Sequence, residues 1–229
     1  MINIQETLED GTRLYGWKSE PPLTPFAPSY THYITEKKIF SETECKDWYK
    51  YLLEQAQTYD YSLQNTLPYN TLEFDFHLVP KLKEALLEGI ETVLRISDNT
   101  DWQETLYAGS WFNILKQEQS MQPHFHGYHK NSFYGFNLMI STNETKTTFY
   151  HPVGHPYFET EHIHITNECG HLILFPDYIP HGVGINRMKT PRISIAGDIY
   201  ASTFLNAEVT NSIKPETKNL VEIGCIKYC

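Results

Sequence analysis

Apolar residues recur at helical spacing in two segments of the first half of the chain. The stretch FSETECKDWYKYLLEQA has Ser41 near its start and Glu44 three residues later, the arrangement of a capping box. The apolar positions that follow on one helix face are Trp48, Tyr51, Leu52 and Ala56. In VPKLKEALLEGIETVLRIS, Pro80 stands near the start, and the apolar stripe consists of Leu82, Leu86, Ile90, Val93 and Leu94. The pattern predicts two amphipathic helices.

After Trp102 the pattern changes to short β-rich runs separated by turn residues. The runs are AGSWFNILK, QPHFHG, SFYGFNLMIS, KTTFYHP, ETEHIHIT, HLILFP, HGVGI and RISIAGDIYAS. About eight short strands are typical of a jelly roll, whose larger sheet needs a cover. We therefore expect a mainly β fold with N-terminal helices, in which the helices pack on a double-stranded β-helix, a cupin-like barrel.

The length and the order of these elements predict a single domain over residues 1–229. Its expected parts are an N-terminal arm (1–35), a helical support (36–100), the double-stranded β-helix core (101–204) and a C-terminal tail (205–229). The arm has several prolines and no sustained periodicity, so we expect it to be extended and to lie over the domain. For the terminal CIKYC we expect a frayed tail with two unpaired thiols, and metal binding or oxidation is the alternative.

The chain has a formal net charge of -10, which argues against a broad basic surface for nucleic acid or an anionic membrane and leaves only a small patch open. A small-molecule or polypeptide substrate fits this charge better. The N-terminus is acidic and lacks an apolar segment, so we expect neither a signal peptide nor a membrane helix. Four cysteines are too few for a disulfide scaffold, so we expect free thiols in a reducing compartment and a cytoplasmic location.

Three histidines fall within six positions of the stretch SMQPHFHGYHKNSFYG, namely His124, His126 and His129. Alternate side chains of a strand share a face, so His124 and His126 point the same way while Phe125 faces oppositely. Two imidazoles can then reach one ion. An isolated H-x-H pair is a weak signal, because surface or core histidines give the same pattern.

A second H-x-H pair in TEHIHIT serves as a control within the same chain. There Ile163 and Ile165 alternate with His162 and His164, and a half-buried strand turns its isoleucines to the core. We therefore expect this pair to face solvent. The histidines in or beside turns are interpreted as surface residues or as hydrogen-bond partners of the site residues, and they are His129, His151, His155 and His171.

A third histidine follows an apolar strand in GHLILFPDYIPHGVGINRMKTPRISIAG. His181 comes after a Pro-Asp turn, and Asp177 is interpreted as a turn residue. Eleven residues later stands Arg192, with Ser194 on the same strand face. A guanidinium can hold a carboxylate by two parallel hydrogen bonds, and a serine hydroxyl can add another. The set offers a metal site together with an anchor for an acidic co-ligand.

At this point the chain resembles the 2-oxoglutarate and iron(II)-dependent oxygenases, and within them a family with an H-x-H motif followed by a Ser-Gly-Val-Tyr-Tyr-like strand. The stretch HFHGYHKNSFYGFNLMI stands in the place of the first block, and GHLILFPDYIPHGV with PRISI in the place of the second. The resemblance covers residues 108–200. The order of the blocks and the spacing from His181 to Arg192 are its most specific features.

The resemblance implies that His124 and His181 are iron ligands and that Arg192 and Ser194 bind the distal carboxylate of 2-oxoglutarate. His126 departs from the pattern, because most of the superfamily has Asp or Glu there to complete a 2-His-1-carboxylate face. Either His126 ligates the metal as a third imidazole, or it turns away and water or another group takes the position. Strand geometry favours ligation. Imidazole also suits zinc, copper and nickel, so the ligand type leaves the metal open.

The activity implied is that of an Fe(II)- and 2-oxoglutarate-dependent dioxygenase, which uses O2 and releases succinate and CO2. We expect a hydroxylase acting on a small molecule or a protein side chain. Asn113 in WFNILK and Tyr134 in FYGFN are candidates for polar contacts with the co-substrate, with a strand-end hydrogen bond and an aromatic core position as the alternatives. The oligomeric state stays open, with a homodimer as one option.

Two other functions fit parts of the pattern. A cupin-type three-histidine metal enzyme that does not use 2-oxoglutarate would share the H-x-H pair, and Gly170, Pro176 and His181 partly match the second cupin motif. However, Tyr178 stands where that motif has glycine, and a cupin has no particular need of Arg192. The other candidate is a non-catalytic binding barrel, which the missing carboxylate ligand keeps open.

Overall fold

The computed structural model describes residues 2–18, 31–58, 70–99, 101–126, 132–141, 144–152, 162–204 and 220–227. The helices are α1 (Glu42–Thr58) and α2 (Pro80–Ile96). The strands are β1 (Ile2–Thr7), β2 (Arg13–Lys18), β3 (Thr31–Lys38), β4 (Asn70–Glu73), β5 (Gln103–Leu115), β6 (Met121–His124), β7 (Ser132–Met139), β8 (Lys146–Phe149), β9 (Ile163–Thr166), β10 (His171–Pro176), β11 (His181–Val183), β12 (Arg192–Ala201) and β13 (Val221–Lys227).

The described strands form two antiparallel sheets. The larger has the order β1-β2-β3-β10-β7-β12-β5-β13, and β4 also pairs with β5. The smaller has the order β6-β11-β8-β9. Neighbouring strands are frequently distant in the chain, as expected for a double-stranded β-helix. The predicted jelly-roll class is confirmed, with the two helices as its cover.

Alternation along β12 shows how the larger sheet separates two environments. Ile193, Ile195 and Ile199 belong to the core cluster that also contains the buried faces of α1 and α2. Arg192 and Ser194 occupy the intervening positions and are completely buried on the other face. That other face packs against the smaller sheet, because a second core cluster joins Trp17 and Phe175 of the larger sheet to residues of β8 and β9. The molecule therefore has three layers: helices, large sheet and small sheet.

Both helices begin as the sequence predicts. The Ser41 backbone N–H donates to Glu44 Oε2 over 2.7 Å, and the Glu44 N–H donates back to Ser41 Oγ over 3.2 Å, which completes the capping box. In α2, Pro80 occupies the first turn, where its missing N–H leaves no hydrogen bond unmade. None of the described helices combines the length and apolarity needed to cross a bilayer.

The expectation of an extended N-terminal arm that lies over the domain is wrong for the described part of residues 1–35. β1, β2 and β3 form an antiparallel meander, and β3 pairs with β10, so these residues extend the larger sheet. Trp17 and Ile34 have no exposed surface and belong to the core between the sheets. The missed signal was alternation: RLYGWK alternates buried and partly buried positions over most of its length, which the proline content of the neighbouring segment obscured.

The expectation of a frayed C-terminal tail is wrong for residues 221–227. β13 pairs with β5, and Ile223 and Ile226 are fully buried against the helix-side core. The free state of the thiols is confirmed for Cys45, Cys169 and Cys225, whereas Cys229 lies outside the described residues. That the chain is one domain stays a prediction.

Candidate metal and anion site

Three histidines meet where the smaller sheet faces β12. His124 ends β6 and His181 begins β11, and the two are register partners. His126 follows two residues after His124. The ring centroids of His124 and His181 are 4.5 Å apart, those of His126 and His181 4.9 Å, and those of His124 and His126 5.3 Å. One ligand atom from each ring lies within 4.8 Å of the other two, so the structure brings together the three histidines singled out in the sequence.

The tautomer of each imidazole follows from its hydrogen bonds. The Nδ1 atoms lie close to oxygens: His124 to the Gln122 carbonyl (2.9 Å), His181 to the Ile179 carbonyl (3.1 Å) and His126 to Asp198 Oδ1 (2.5 Å). A carbonyl or carboxylate oxygen accepts, so Nδ1 is the donor in each ring. In the neutral form of each ring, Nε2 then keeps its lone pair, which is the state a metal ligand requires.

Burial and mutual proximity favour uncharged rings at two of the three positions. Burial lowers the pKa of His181 well below its usual value, and the neighbouring His126 and His124 lower it further. Burial also lowers the pKa of His124. At His126 burial acts in the same direction, but the Asp198 carboxylate outweighs it and the pKa is raised. The site thus contains neutral imidazoles and one imidazole paired with an anion.

Aromatic rings pack against His126 and His181. The Phe175 ring centroid lies 4.4 Å from that of His181 and 5.9 Å from that of His126, and Phe149 packs against His181 at 5.7 Å. Trp111 lies on the other side of His126, at 5.8 Å. These rings reduce the access of water to the two imidazoles and lower the local dielectric constant.

Arg192 is a buried cation on the same face of β12 as Ser194 and Asp198. Its side chain has no exposed surface, and burial lowers its pKa to about 9, still well above neutrality. Nη1 donates to the Ser194 hydroxyl over 3.2 Å, and Nη2 lies 3.2 Å from the Met139 sulfur. Its Nε is one of two buried side-chain N and O atoms among the described residues without a hydrogen-bond partner; the other is Asn137 Oδ1. An anion in this position would satisfy the guanidinium.

Strand register decides which of the remaining candidates reach the site. Asn113 pairs with Ser194, so it lies on the inner face beside the residue that accepts a hydrogen bond from Arg192. Tyr134 pairs with Ile199 and packs against the helix-side core, on the opposite face. The structure therefore brings Asn113 to the site and does not bring Tyr134.

The other histidines occupy different environments. His164 is exposed and His162 partly exposed, while Ile163 and Ile165 are buried, so the predicted orientation of the second H-x-H pair is confirmed. The surface interpretation is wrong for His151 and His171, which are both buried. His129 and His155 lie outside the described residues.

A second group of potential ligands joins His171 to two carboxylates. Glu36 Oε1 lies 2.8 Å from His171 Nδ1, and Glu168 completes the group. Arg13 already lies among them, with Nη1 3.0 Å from Glu168 and Nε 3.5 Å from Glu36. Because a guanidinium supplies the compensating charge, we interpret this group as an ion-pair network.

Asp177 occupies the turn after β10, as predicted, and accepts a hydrogen bond from Ser132 over 2.8 Å. Sequence reasoning missed Asp198, Asn137 and Trp111, which all face the site. Asp198 had a usable signal, because it is the only acidic residue in RISIAGDIYA and shares the alternation of Arg192. Asn137 and Trp111 had none, because polar and aromatic residues are common in strands of either orientation.

Comparison with known proteins identifies the fold. A scan against protein-family models and a search of curated proteins gave no match. Among solved structures, the non-heme alpha ketoglutarate dependent epimerase SnoN from nogalamycin biosynthesis is similar with a TM-score of 0.51 and 11% identity, over 77% of this chain and 83% of that chain. A Pseudomonas putida prolyl-4-hydroxylase has a TM-score of 0.53 and 9% identity, over 73% of this chain and 91% of that one.

The viral collagen prolyl hydroxylase vCPH from Paramecium Bursaria Chlorella virus-1 is similar with a TM-score of 0.52 and 12% identity, over 73% of this chain and 96% of that chain. At such identities the similarity establishes the fold. The chain has the fold of these enzymes, which is the fold that the sequence resemblance implied.

Proposed function

We propose that the protein is an Fe(II)- and 2-oxoglutarate-dependent dioxygenase that hydroxylates a small molecule or a protein side chain. The observation that carries the proposal is the buried Arg192 guanidinium, which has no acidic partner among the described residues and lies on the inner face of the larger sheet, toward the three imidazoles. A cation that is taken out of water without a counter-ion is costly, so its burial indicates an anionic ligand. A co-substrate with two carboxylates would place one against Arg192 and the other at the metal, so it would use both the anion site and the imidazole cluster.

The donor set fits a first-row transition metal. Imidazole nitrogen is a good ligand for iron, and a set of three protein ligands would leave further coordination positions for a co-substrate and O2. His124, His126 and His181 would hold the ion through their Nε2 atoms, because each Nδ1 already donates to an oxygen. The protein's contribution is to fix these three rings before the metal arrives.

The neighbours in fold add independent support. SnoN has been solved with Fe3+ and alpha ketoglutarate, and vCPH has been solved with 2OG. Those ligands are theirs, and we extend them to this chain because its own residues provide both an imidazole cluster and a buried anion site. Prolyl hydroxylation by two of the neighbours makes hydroxylation the first reaction to test here.

When bound, iron and 2-oxoglutarate would supply the oxidising chemistry: the keto acid and O2 give succinate and CO2, and one oxygen atom enters a C–H bond of the substrate. Arg192 and Ser194 would orient the co-substrate through its distal carboxylate. Asn113 lies next to Ser194 and can add a polar contact. Phe175 and Phe149 exclude water from the metal side of the site.

The experiment that tests the proposal is an anaerobic titration of the metal-free protein with iron(II) and then with 2-oxoglutarate. We expect a weak visible charge-transfer band that needs both components. Iron binding without the band would favour a cupin-type enzyme that does not use 2-oxoglutarate. Absence of iron binding would favour a non-catalytic binding barrel.

A further inference from the structure

We propose that Asp198 is a positioning residue that acts through His126 and supplies the negative charge that the three-imidazole ligand set lacks. This inference rests on the proposed function, since it concerns the same metal site. It explains how a histidine can stand where a 2-His-1-carboxylate site has its acidic ligand. The carboxylate is present, but one hydrogen bond away from the metal.

The geometry links the two side chains directly. Asp198 Oδ1 lies 2.5 Å from His126 Nδ1, and the side chains are 8% and 10% exposed. The His126 backbone N–H also donates to the Asp177 carbonyl over 2.9 Å. The ring of His126 is therefore fixed at its backbone and at Nδ1, which directs Nε2 toward the other two imidazoles.

The surroundings of Asp198 leave space for this contact. Its register partners are Gly109 on β5 and Gly135 on β7, so neither neighbouring strand places a side chain beside the carboxylate. The histidine ring can therefore approach β12 closely. Asp198 also shares its strand face with Arg192 and Ser194, so β12 alone provides both the anion anchor and the carboxylate behind the metal ligand.

The three histidines differ in the acceptor that each Nδ1 meets. His124 and His181 donate to backbone carbonyls, which are neutral. His126 alone donates to a carboxylate. A charged acceptor at Nδ1 makes Nε2 a stronger donor to a metal than a neutral acceptor does. The charged acceptor thus occurs at the one position where a facial triad would have its carboxylate ligand.

The test compares Asp198→Asn with Asp177→Asn by anaerobic competition for iron(II) with a chromophoric chelator. Asparagine has nearly the shape of aspartate and can accept the Nδ1–H bond, but it has no charge. We expect the Asp198 variant to bind iron about 10- to 100-fold more weakly than wild type. The Asp177 variant is the matched control, because its buried carboxyl bonds Ser132 and acts on His126 only through space, so we expect a clearly smaller loss.

A second measurement asks whether Asp198 acts through His126. In a His126→Ala background, Asp198→Asn is expected to cause no further loss of iron affinity, because the ring that transmits its effect is gone. In the presence of 2-oxoglutarate, the charge-transfer band of Asp198→Asn should move to shorter wavelength, since a weaker nitrogen donor makes iron(II) harder to oxidise. A purely structural role for Asp198 would leave the band position unchanged.

The outcomes separate this inference from the proposed function. Wild-type binding of iron and 2-oxoglutarate, together with unchanged affinity and band in Asp198→Asn, overturns the role of Asp198 and leaves the function standing. Failure of the wild type to bind iron overturns both. If Asp198→Asn does not fold, Asp198→Glu and Asp198→Ala replace it. Glutamate keeps the charge and should retain the higher affinity, and equal affinities in these two variants would contradict the inference.

Discussion

His124 of β6 and His181 of β11 are register partners in the smaller sheet, and their imidazole centroids lie 4.5 Å apart. Two potential metal ligands from distant parts of the sequence are therefore brought together by strand pairing itself. A slip of one residue in either strand would turn one of the rings to the opposite face. The metal half of the site depends on a single backbone register.

We predict that His181→Ala abolishes iron(II) binding, because only two imidazoles would remain around the ion. The control is His164→Ala, which removes an exposed histidine from the other H-x-H pair and should bind iron as wild type does. Anaerobic calorimetric titration of both variants measures the difference. Full metal occupancy in His181→Ala would remove this residue from the ligand set.

Arg192→Met is expected to weaken 2-oxoglutarate binding by about 30-fold or more, because the distal carboxylate loses its buried charged partner. The same change should raise the free energy of unfolding of the metal-free protein by about 1 to 4 kcal/mol, since an apolar side chain replaces an unpaired buried cation. Chemical denaturation measures the gain in the free energy of unfolding, and co-substrate titration measures the loss of 2-oxoglutarate affinity.

Arg192→Lys is the control for that experiment, because it keeps the charge and loses the planar fork. It should bind 2-oxoglutarate better than the methionine variant and worse than wild type. An unchanged requirement for 2-oxoglutarate in both variants would exclude Arg192 from the anion site.

The register of β5 and β7 predicts different effects at two residues that the sequence made equal candidates. Asn113→Ala should raise the 2-oxoglutarate concentration needed for half-saturation, because Asn113 lies beside Ser194. Tyr134→Phe should not, because Tyr134 faces the helix-side core. Equal effects of the two changes on co-substrate titration would contradict this assignment of faces.

Gly135→Ala is expected to disturb the candidate metal site by displacing an aromatic ring that packs against one of its histidines. A Cβ at this position would lie 2.6 Å from the Phe175 ring, which in turn packs against His181. Displacement of the ring should cost about 1 to 3 kcal/mol of stability and should weaken iron binding. Gly184→Ala is the control, because a Cβ there meets nothing within 4 Å. Thermal unfolding and iron titration of both variants measure the difference. Equal stability and equal iron affinity in the two variants would contradict the prediction.

The cysteines should differ sharply in reactivity. Cys45 is buried in α1, and burial together with the adjacent Cys169 raises the pKa of its thiol. Cys225 is exposed. Under native conditions we expect a thiol reagent to label Cys225 well before Cys45, as mapped by mass spectrometry, and unfolding should remove the difference.

Much of the fold was accessible from local patterns. The capping box at Ser41, the proline at the start of α2 and the alternation around Ile163 each depend on residues close in the chain, and each prediction is confirmed. β1 to β3 were missed because the prolines of the neighbouring segment obscured their alternation, although β1 and β2 pair with strands close in the chain. β13 was missed because its pairing partner, β5, is distant in the chain. A short strand at a sheet edge owes its order to such a partner rather than to its own propensity.

The candidate site was likewise predictable where it depends on residue type and local spacing, and not where it depends on strand pairing. The histidines and Arg192 have chemistry that is visible in a single sequence, so their types and spacing indicated a site. Asp198 and Asn137 become meaningful only when β12 and β7 are adjacent, since their roles depend on which strand lies beside which. Tyr134 shows the opposite error, because alternation relates residues within a strand but does not tell which face turns inward.

The two halves of the site belong to different sheets, with His124 and His181 on the smaller one and Arg192 on the larger one. Packed sheets are held about 10 Å apart by the side chains between them. The separation of the imidazole cluster and the guanidinium is thus a dimension of the sandwich, which substitutions at the surface would not alter. We expect this spacing to select diacids by chain length, so that a homologue one carbon shorter than 2-oxoglutarate would not span the proposed site and one carbon longer would have to bend to fit.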